Sequence, residues 1–228
     1  MQLIIVESPH KAKTIEKFLN GKFKVDASKG HIRDLPTNYM GININKNFEP
    51  YYVIAPEKKT DIKRLSDEAK KAESVLLATD PDREGEAISW HLAEVLGLDD
   101  KEPNRIEFNE ISEKAVKYAI EHPRKIDKNL VDAQQARRVL DRIVGYSISP
   151  AASSRLNENL SAGRVQSVAL KMVVDREREI NSFVPQEYWN LKAQLKTLSN
   201  GSFKALLVEK DGKKYKPSCE EESIKVEN

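Results

Sequence analysis

Three acidic residues at alternate positions carry the clearest chemical signal of this 228-residue sequence. Asp80, Asp82 and Glu84 directly follow residues 74–79, a run that is apolar enough to be a buried strand. In an extended segment, alternate side chains point the same way about 6–7 Å apart, so the three carboxylates could converge. Converging carboxylates repel one another unless a cation lies among them, and their oxygen atoms suit Mg²⁺. The spacing therefore predicts a metal site.

The alternative is an acidic turn at the start of the next helix, where the helix dipole favours negative charge. We favour the metal site because Glu86 adds a fourth acid, and because open α/β sheets bind ligands at the carboxyl ends of their strands. Glu7 belongs to the same prediction. It comes at the end of the first strand-like run, 2–6, and should emerge at the same edge of the sheet.

Lys11 and His31 are further candidates. Lys11 lies in a turn that begins with Ser8 and Pro9, which fit the N-cap and the first residue of a helix. The free amide groups at a helix start attract phosphate, so Glu7 could transfer a proton while Lys11 holds a phosphate group. A solitary histidine such as His31, in the run SKGHIRDLP, is more often an ordinary loop residue, and its role stays open.

Strand-like and helix-like segments alternate over the first 123 residues. Strands are predicted at 2–6, 23–28, 74–79 and 105–108, and helices at 11–20, 58–72, 84–97 and 112–121, with a long irregular loop at 35–57. This alternation is typical of an α/β architecture with a mainly parallel sheet flanked by helices. Beyond Pro123 the periodicity becomes helical, at 129–147 and 161–181, and 188–209 then predicts a β-hairpin from a third, incomplete domain.

Positive charge is concentrated in the middle of the chain. Residues 124–178 contain 11 basic and 6 acidic residues, whereas 1–123 contain 19 and 22, and 179–228 contain 8 of each. Eight of the 12 arginines lie in this middle stretch, and arginine presents a planar fork of donors that suits phosphate. A solvated helix face is the alternative, but it would more naturally use lysine. We predict binding of nucleic acid or another polyanion.

Composition excludes several other classes of protein. Hydrophobic residues at 39% and charged residues at 32% are typical of a globular chain. Uninterrupted runs of hydrophobic residues have five members at most, far below the ~20 of a membrane-spanning helix. The single cysteine, Cys219, cannot form an internal disulfide or a multi-cysteine zinc site, which favours a reducing cytoplasmic setting.

Five runs of sequence point to a known family. They are ESPHKAK at 7–13, KGHIRDLP at 29–36, DPDREGEAISWHL at 80–92, QARRVLDRIVGY at 135–146 and LSAGRVQS at 160–167. In this order they resemble bacterial DNA topoisomerase I, of type IA. With REREI and FVPQEYW behind them, the matches extend to about Trp189.

The resemblance implies three parts: a Toprim metal-binding catalytic domain at 1–123, a helical segment at 124–180 that holds single-stranded DNA, and the start of a β-rich gate domain at 181–228. It implies catalytic roles for Glu7, in proton transfer, for Lys11, on the scissile phosphate, and for Arg83, and it adds weight to His31. The implied Mg²⁺ ligands are Glu7, Asp80, Asp82 and Glu84. The implied DNA-binding residues, with a tyrosine ring that could stack on a base, are Arg137, Arg138, Asp141, Arg142, Tyr146, Arg164 and Gln166.

The implied activity is relaxation of negatively supercoiled DNA. One strand is cut by a tyrosine that becomes linked to the 5′ phosphate, and the strand is then rejoined. The seven tyrosines do not lie in the family's nucleophile motif; they are Tyr39, Tyr51, Tyr52, Tyr118, Tyr146, Tyr188 and Tyr215. We therefore expect an amino-terminal fragment, monomeric and cytoplasmic in the bacterial nucleoid, that binds Mg²⁺ and a single-stranded segment of DNA but is inactive alone.

Two other functions stay open. A Toprim nuclease or primase needs the same acids but no tyrosine, although the basic helical segment argues against it. A DNA-binding module without catalysis would use the acids only structurally. Metal-dependent nicking of DNA would favour the first, and absence of Mg²⁺ binding would favour the second.

Overall fold

Helices and strands alternate along the first 121 residues of the computed structural model, which describes residues 1–99 and 101–227. The α-helices are α1 (Pro9–Phe18), α2 (Lys59–Ala69), α3 (Arg83–Leu96), α4 (Glu113–Glu121), α5 (Lys128–Leu156), α6 (Arg164–Ser182) and α7 (Glu220–Glu227). The strands are β1 (Gln2–Val6), β2 (Phe23–Ala27), β3 (Arg33–Asp34), β4 (Ile42–Asn43), β5 (Glu49–Pro50), β6 (Val53–Ile54), β7 (Val75–Ala78), β8 (Lys192–Lys196), β9 (Ser202–Leu206), β10 (Glu209–Lys210) and β11 (Lys213–Lys214).

The central sheet is parallel, with the strand order β2-β1-β7. Val6 at the end of β1 pairs with Ala27 of β2 on one side and with Ala78 of β7 on the other, so the three strands end together. The α/β prediction with a mainly parallel sheet is therefore confirmed. The long loop at 35–57 adds only two-residue strands, paired as β3 with β6 and β4 with β5.

Alternate residues of β1 enter two different cores. Ile4 and Val6 pack with Ile15 of α1 and residues of α4, whereas Leu3 and Ile5 pack with Leu65 of α2 and residues of α3. All of these side chains are almost completely buried. Burial of each Leu or Ile contributes about 1.5–3 kcal/mol, so the sheet is held from both faces and its carboxyl edge is a rigid platform.

Two of the predicted elements differ from those in the structure. The strand predicted at 105–108 is wrong, because Arg105 alone forms isolated bridges, to Leu77 and to Arg124. Helix α5 continues past residue 147 and through Pro150. The proline removes one backbone donor from the helix. On either side of it, the hydroxyls of Ser149 and Ser153 accept hydrogen bonds from the backbone of the returning segment 160–162, at 2.9 Å each.

The chain divides into two compact units, residues 1–167 and 168–228. The second unit contains most of α6, the hairpin β8–β9, the short pair β10–β11 and α7. The predicted hairpin is confirmed, with strands shorter than expected. Leu195 and Leu206 in it are 43% and 50% exposed. Over residues 1–99 and 101–227, none of the helices is both long and apolar enough to span a bilayer.

Candidate active site and nucleic-acid interface

The carboxyl edge of the sheet brings Glu7 and Asp80 together. Glu7 follows β1 directly and Asp80 follows β7 after one residue, and these two strands are neighbours. Lys11 reaches the same point because Ser8 caps α1, its hydroxyl accepting a hydrogen bond from the Lys11 backbone at 3.3 Å. The Lys11 ammonium donates to Glu7 Oε1 at 3.1 Å and to Asp80 Oδ1. The predicted proximity of Glu7 to the first of the acids is confirmed.

Electrostatics fix the charges of this cluster. Burial raises the pKa of Asp80, but hydrogen bonds with Lys11 and Glu7 outweigh it and bring the pKa below its usual range. Burial likewise lowers the pKa of Lys11, and the two carboxylates bring it above its usual range. Lys11 and Asp80 therefore stay ionised at neutral pH, and the ammonium is a fixed positive charge beside the sheet edge.

Asp82 and Glu84 have other partners, because α3 begins at Arg83 and the segment is not extended as the alternation suggested. Asp82 is the N-cap of α3, and its Oδ1 accepts a hydrogen bond from the Gly85 backbone at 2.8 Å. Glu84 lies in the first turn, where its Oε1 is 2.6 Å from His31 Nε2. The exposed Arg83 side chain has no hydrogen bond or ion pair to another described residue.

The four predicted metal ligands thus share one edge of the sheet without forming one cluster. Within residues 1–99 and 101–227, no group of three or more histidine, cysteine or acidic side chains is arranged to hold a metal ion. Asp80 faces an ammonium group, Asp82 serves as a helix cap and Glu84 contacts a histidine. The present side-chain arrangement does not fit a three-carboxylate Mg²⁺ site.

The predicted DNA-binding residues lie along α5 and the start of α6, and three of the seven contact residues 34–37, at the end of β3 and just after it. Arg138 forms a bidentate pair with Asp34, with Nε–Oδ1 at 2.8 Å. Arg142 donates to the carbonyl of Pro36 at 2.6 Å, and the Tyr146 hydroxyl donates to the carbonyl of Thr37 at 2.6 Å. The Arg142 guanidinium also lies over the Tyr146 ring, 4.6 Å from its centroid.

The remaining members of the predicted set are nearby. Arg164 pairs with both carboxylate oxygens of Asp141, at 2.8 and 3.1 Å, which lowers the pKa of Asp141. Gln166 donates to the Ser161 hydroxyl at 3.0 Å. Arg137 is exposed and, among the described residues, has no hydrogen bond or ion pair. A cavity of about 590 Å³ lies beside these residues, lined by Thr37, Arg138, Asp141, Arg142, Tyr146 and Ser161.

Comparisons with known proteins identify the family. A Toprim domain model matches residues 2–111, and a DNA topoisomerase model matches residues 125–227. Full-length topoisomerase I from Thermotoga maritima, solved in a monoclinic crystal form, is 44% identical with a TM-score of 0.81. The chain belongs to the bacterial topoisomerase I family. The match covers 98% of this chain and 37% of the Thermotoga maritima protein.

The Toprim domain also contains a buried ionic network that the sequence did not predict. Glu86, expected to add to the metal-binding acids, is completely buried and binds Arg105 and Arg124 instead. Arg124 donates to both Glu86 oxygens at 2.7 Å, and Arg105 Nε donates at 3.0 Å. The backbone of Asp127 donates to Glu86 as well, at 2.6 Å. Glu86 therefore has a structural role.

Arg105 supports the end of the strand that carries Asp80. Its guanidinium is completely buried and donates to the carbonyls of Thr79 at 2.9 Å and Asp80 at 2.8 Å. In the sequence, the only indication that Glu86 is buried was a cluster of small residues around it, namely Gly85, Ala87 and Ser89, which let a helix pack closely on its neighbours. Nothing local indicated that an arginine 19 residues away would be the partner.

The network makes folding stability sensitive to acid. Burial raises the pKa of Glu86, but the hydrogen bonds from Arg124, Asp127 and Arg105 outweigh it and bring the pKa below the ordinary value of 4.5. The contribution of Glu86 is therefore complete above about pH 4.5 and is lost as the pH falls through the lower, folded-state value. We expect the free energy of unfolding in urea to fall more steeply below pH 4.5 for the wild type than for Glu86→Gln. Parallel pH profiles would contradict this role.

Proposed function

We propose that this chain is part of a type IA topoisomerase that relaxes negatively supercoiled DNA. The reaction would be Mg²⁺-dependent cleavage of one strand through a 5′-phosphotyrosine, followed by rejoining. The observation that carries this proposal is the Lys11 ammonium held by Glu7 and Asp80 at the carboxyl edge of the Toprim sheet. Membership of the topoisomerase I family supports it.

We infer a role for each of the four candidate residues at the carboxyl edge of the sheet. Lys11 would hold the scissile phosphate, since its charge is fixed and its position is set by two carboxylates. Glu7 would exchange a proton with the leaving or attacking oxygen, because its carboxylate lies 3.1 Å from the ammonium that would hold the phosphate. Arg83, which has no hydrogen bond or ion pair to another described residue, would approach the same phosphate, and His31 would orient Glu84.

Mg²⁺ is proposed as the cofactor, with Glu7, Asp80, Asp82 and Glu84 as its ligands. When bound, it would supply positive charge beside the phosphate. Because these acids have other partners in the structure, binding would require Asp80 to leave Lys11 and Glu84 to leave His31. We assign no step of the reaction to the metal.

The cavity beside α5 would hold a base of the single-stranded DNA segment. Its volume of about 590 Å³ is in the range of small-ligand pockets. Tyr146 offers a ring face for stacking, and Arg138 and Arg142 supply positive charge on the lining of the same cavity. Because Arg138, Arg142 and Tyr146 contact the loop at 34–37, DNA would compete with that loop for them.

Substitution of Tyr146 separates stacking from hydrogen bonding. We expect Tyr146→Ala to weaken binding of a single-stranded oligonucleotide by 1–3 kcal/mol, roughly 5- to 150-fold in Kd, because a stacking surface is lost. Tyr146→Phe removes only the hydroxyl that contacts Thr37 and should bind within about twofold of the wild type. Fluorescence anisotropy measures both. Equal weakening by the two variants would contradict a stacking role.

A gel assay with negatively supercoiled plasmid and Mg²⁺ tests the activity. We propose that the 228 residues alone do not relax plasmid, because none of their tyrosines lies in the nucleophile motif that the family resemblance implies. Relaxation by the purified chain would overturn this part of the proposal. Metal-dependent nicking without relaxation would favour a Toprim nuclease.

We propose further that the protein is a monomer of the bacterial cytoplasm, at the nucleoid.

A DNA-binding module without catalysis is the second candidate. The observation that favours it is the structural use of the acids, with Asp82 as a helix cap and Glu84 on His31. Titration calorimetry with Mg²⁺ separates the two. The topoisomerase proposal expects binding that is weakened by Asp82→Ala. Absence of binding in both proteins would favour the module.

A further inference from the structure

A second, smaller cavity lies between the β3–β6 pair, α3 and α5. Its volume is about 130 Å³, well below the roughly 300–1,000 Å³ of pockets for drug-sized ligands. The side chains that line it are almost all polar or charged: His31, Arg33, Asp34, Tyr52, Glu84, His91, Gln134 and Arg138. A site of this size and chemistry suits a small polar group rather than a base or a nucleoside.

Arg33 lines this cavity and forms no ion pair with another described residue. Its Nε donates to His91 Nδ1 at 2.9 Å, and its guanidinium lies 5.1 Å from the Trp90 ring and 5.8 Å from the Tyr52 ring. Arg33 Nη2 is buried and has no hydrogen-bond partner, and no ion pair to Arg33 is found over residues 1–99 and 101–227. A half-buried guanidinium held by rings and a neutral histidine keeps its charge, and its buried Nη2 is left to donate to a ligand.

Tyr52 supplies a second donor. Its hydroxyl is buried and, within the described part of the chain, also lacks a partner. Burial raises the pKa of Tyr52 to about 12, so the hydroxyl keeps its proton at neutral pH. Burial also lowers the pKa of His91 to about 3, so His91 stays neutral and accepts from Arg33 rather than repelling it. Arg33 Nη2 and the Tyr52 hydroxyl are thus two donor groups that lack an acceptor among the described residues.

The two carboxylates on the lining are already engaged. Asp34 pairs with Arg138 through both of its oxygens, and Glu84 contacts His31 at 2.6 Å. Neither forms an ion pair with Arg33 in the described residues. An incoming group must therefore bring its own acceptor oxygens, and negative charge on it would offset the buried guanidinium.

We propose that this cavity binds a phosphate group through Arg33 and Tyr52. A tetrahedral oxyanion offers several acceptor oxygens to the two donors and matches the volume available. The group could be a phosphodiester of bound DNA or free inorganic phosphate, which share this chemistry. The cavity shares His31 and Glu84 with the sheet edge and Arg138 with the cavity at Tyr146, but Arg33 and Tyr52 belong to neither of those sites, and their binding of phosphate does not depend on the proposed cleavage reaction.

Titration calorimetry of the full 228-residue chain with inorganic phosphate, at constant ionic strength in chloride, tests the site. We expect saturable binding of one phosphate by the wild type, loss of detectable binding in Arg33→Gln, and a Kd about tenfold higher in Tyr52→Phe. The matched control is Arg176→Gln, because Arg176 is an exposed arginine of the second unit and should leave binding unchanged. Circular dichroism melting shows whether each variant is folded.

Tyr52→Phe keeps the test decisive if Arg33→Gln does not fold, because it removes a single hydroxyl without leaving a charge unpaired. A second arm adds a single-stranded oligonucleotide. Competition between phosphate and oligonucleotide identifies a DNA phosphodiester as the occupant, whereas independent binding identifies free phosphate, and both support the site. The proposal is overturned if the wild type does not bind phosphate, or if Tyr52→Phe binds it as tightly as the wild type.

Discussion

Replacement of Arg105 by methionine is expected to lower the free energy of unfolding by about 3–5 kcal/mol, which is the usual cost of removing one partner of a buried ion pair. The arginine is completely buried, and its loss leaves Glu86 with less positive charge in the protein interior. It also removes the donors to the carbonyls of Thr79 and Asp80. Because a typical domain is stable by only about 5–15 kcal/mol, the effect should be large in any assay.

Urea unfolding measures this effect. Arg176→Gln removes an arginine from an exposed pair with Glu179 and serves as the control, with an expected loss below about 1 kcal/mol. The double variant Arg105→Met with Glu86→Gln should lose less stability than the sum of the losses of the two single variants, because neither member of the pair is then left charged without the other. If Arg105→Met lowered the free energy of unfolding as little as Arg176→Gln does, a structural role for the network would be contradicted.

Substitution of Gly85 by alanine is the second change with a large expected effect. A Cβ at this position would lie 2.1 Å from the carbonyl oxygen of Asp80 and 2.8 Å from its backbone nitrogen. Because these are backbone atoms, either the start of α3 or the residue carrying the Asp80 carboxylate must move. We expect a loss of about 3 kcal/mol, at the upper end of the range for overpacked sites, and weaker binding of single-stranded DNA.

Gly145→Ala is the matched control for Gly85→Ala. Gly145 lies inside α5, where the nearest contact of a new Cβ would be the carbonyl of Ala162 at 3.8 Å. Alanine there should be neutral or stabilise the helix by up to about 1 kcal/mol. Thermal melting of the two variants should therefore shift in opposite directions. A Gly85→Ala protein as stable as the wild type would show that Asp80 is not held by this close approach.

Local sequence patterns predicted the helices and strands whose buried residues recur at a regular spacing. The continuous apolar runs predicted β1 and β7, and the Ser8-Pro9 pair predicted the start of α1. The helix predicted at 84–97 ends as expected, with Gly97 at φ +68° as the C-cap of α3. The failure at Arg105 has a physical cause. An alternating run such as RIEF looks like a strand, but Arg105 uses its side chain to bind backbone carbonyls, and only one residue pairs.

The candidate site was predictable in part. The approach of Glu7 to Asp80 followed from strand adjacency in a parallel sheet, since both residues come where their strands end. The contacts of Glu84 with His31 and of Asp34 with Arg138 join residues 53 and 104 positions apart. Pairings over such distances depend on tertiary packing, and no single sequence encodes them in a local pattern.

Binding of a single-stranded oligonucleotide across a range of salt concentrations tests the central claim, that Lys11 at the sheet edge holds a DNA phosphate. We predict that the wild type binds single-stranded DNA more tightly than duplex. Lys11→Met should weaken binding and reduce the slope of log K against log salt by about 0.7, the value for one phosphate contact on a single strand. Lys117→Met, on an exposed helix face, should leave both unchanged. A Lys11→Met protein with the affinity and salt slope of the wild type would contradict the account.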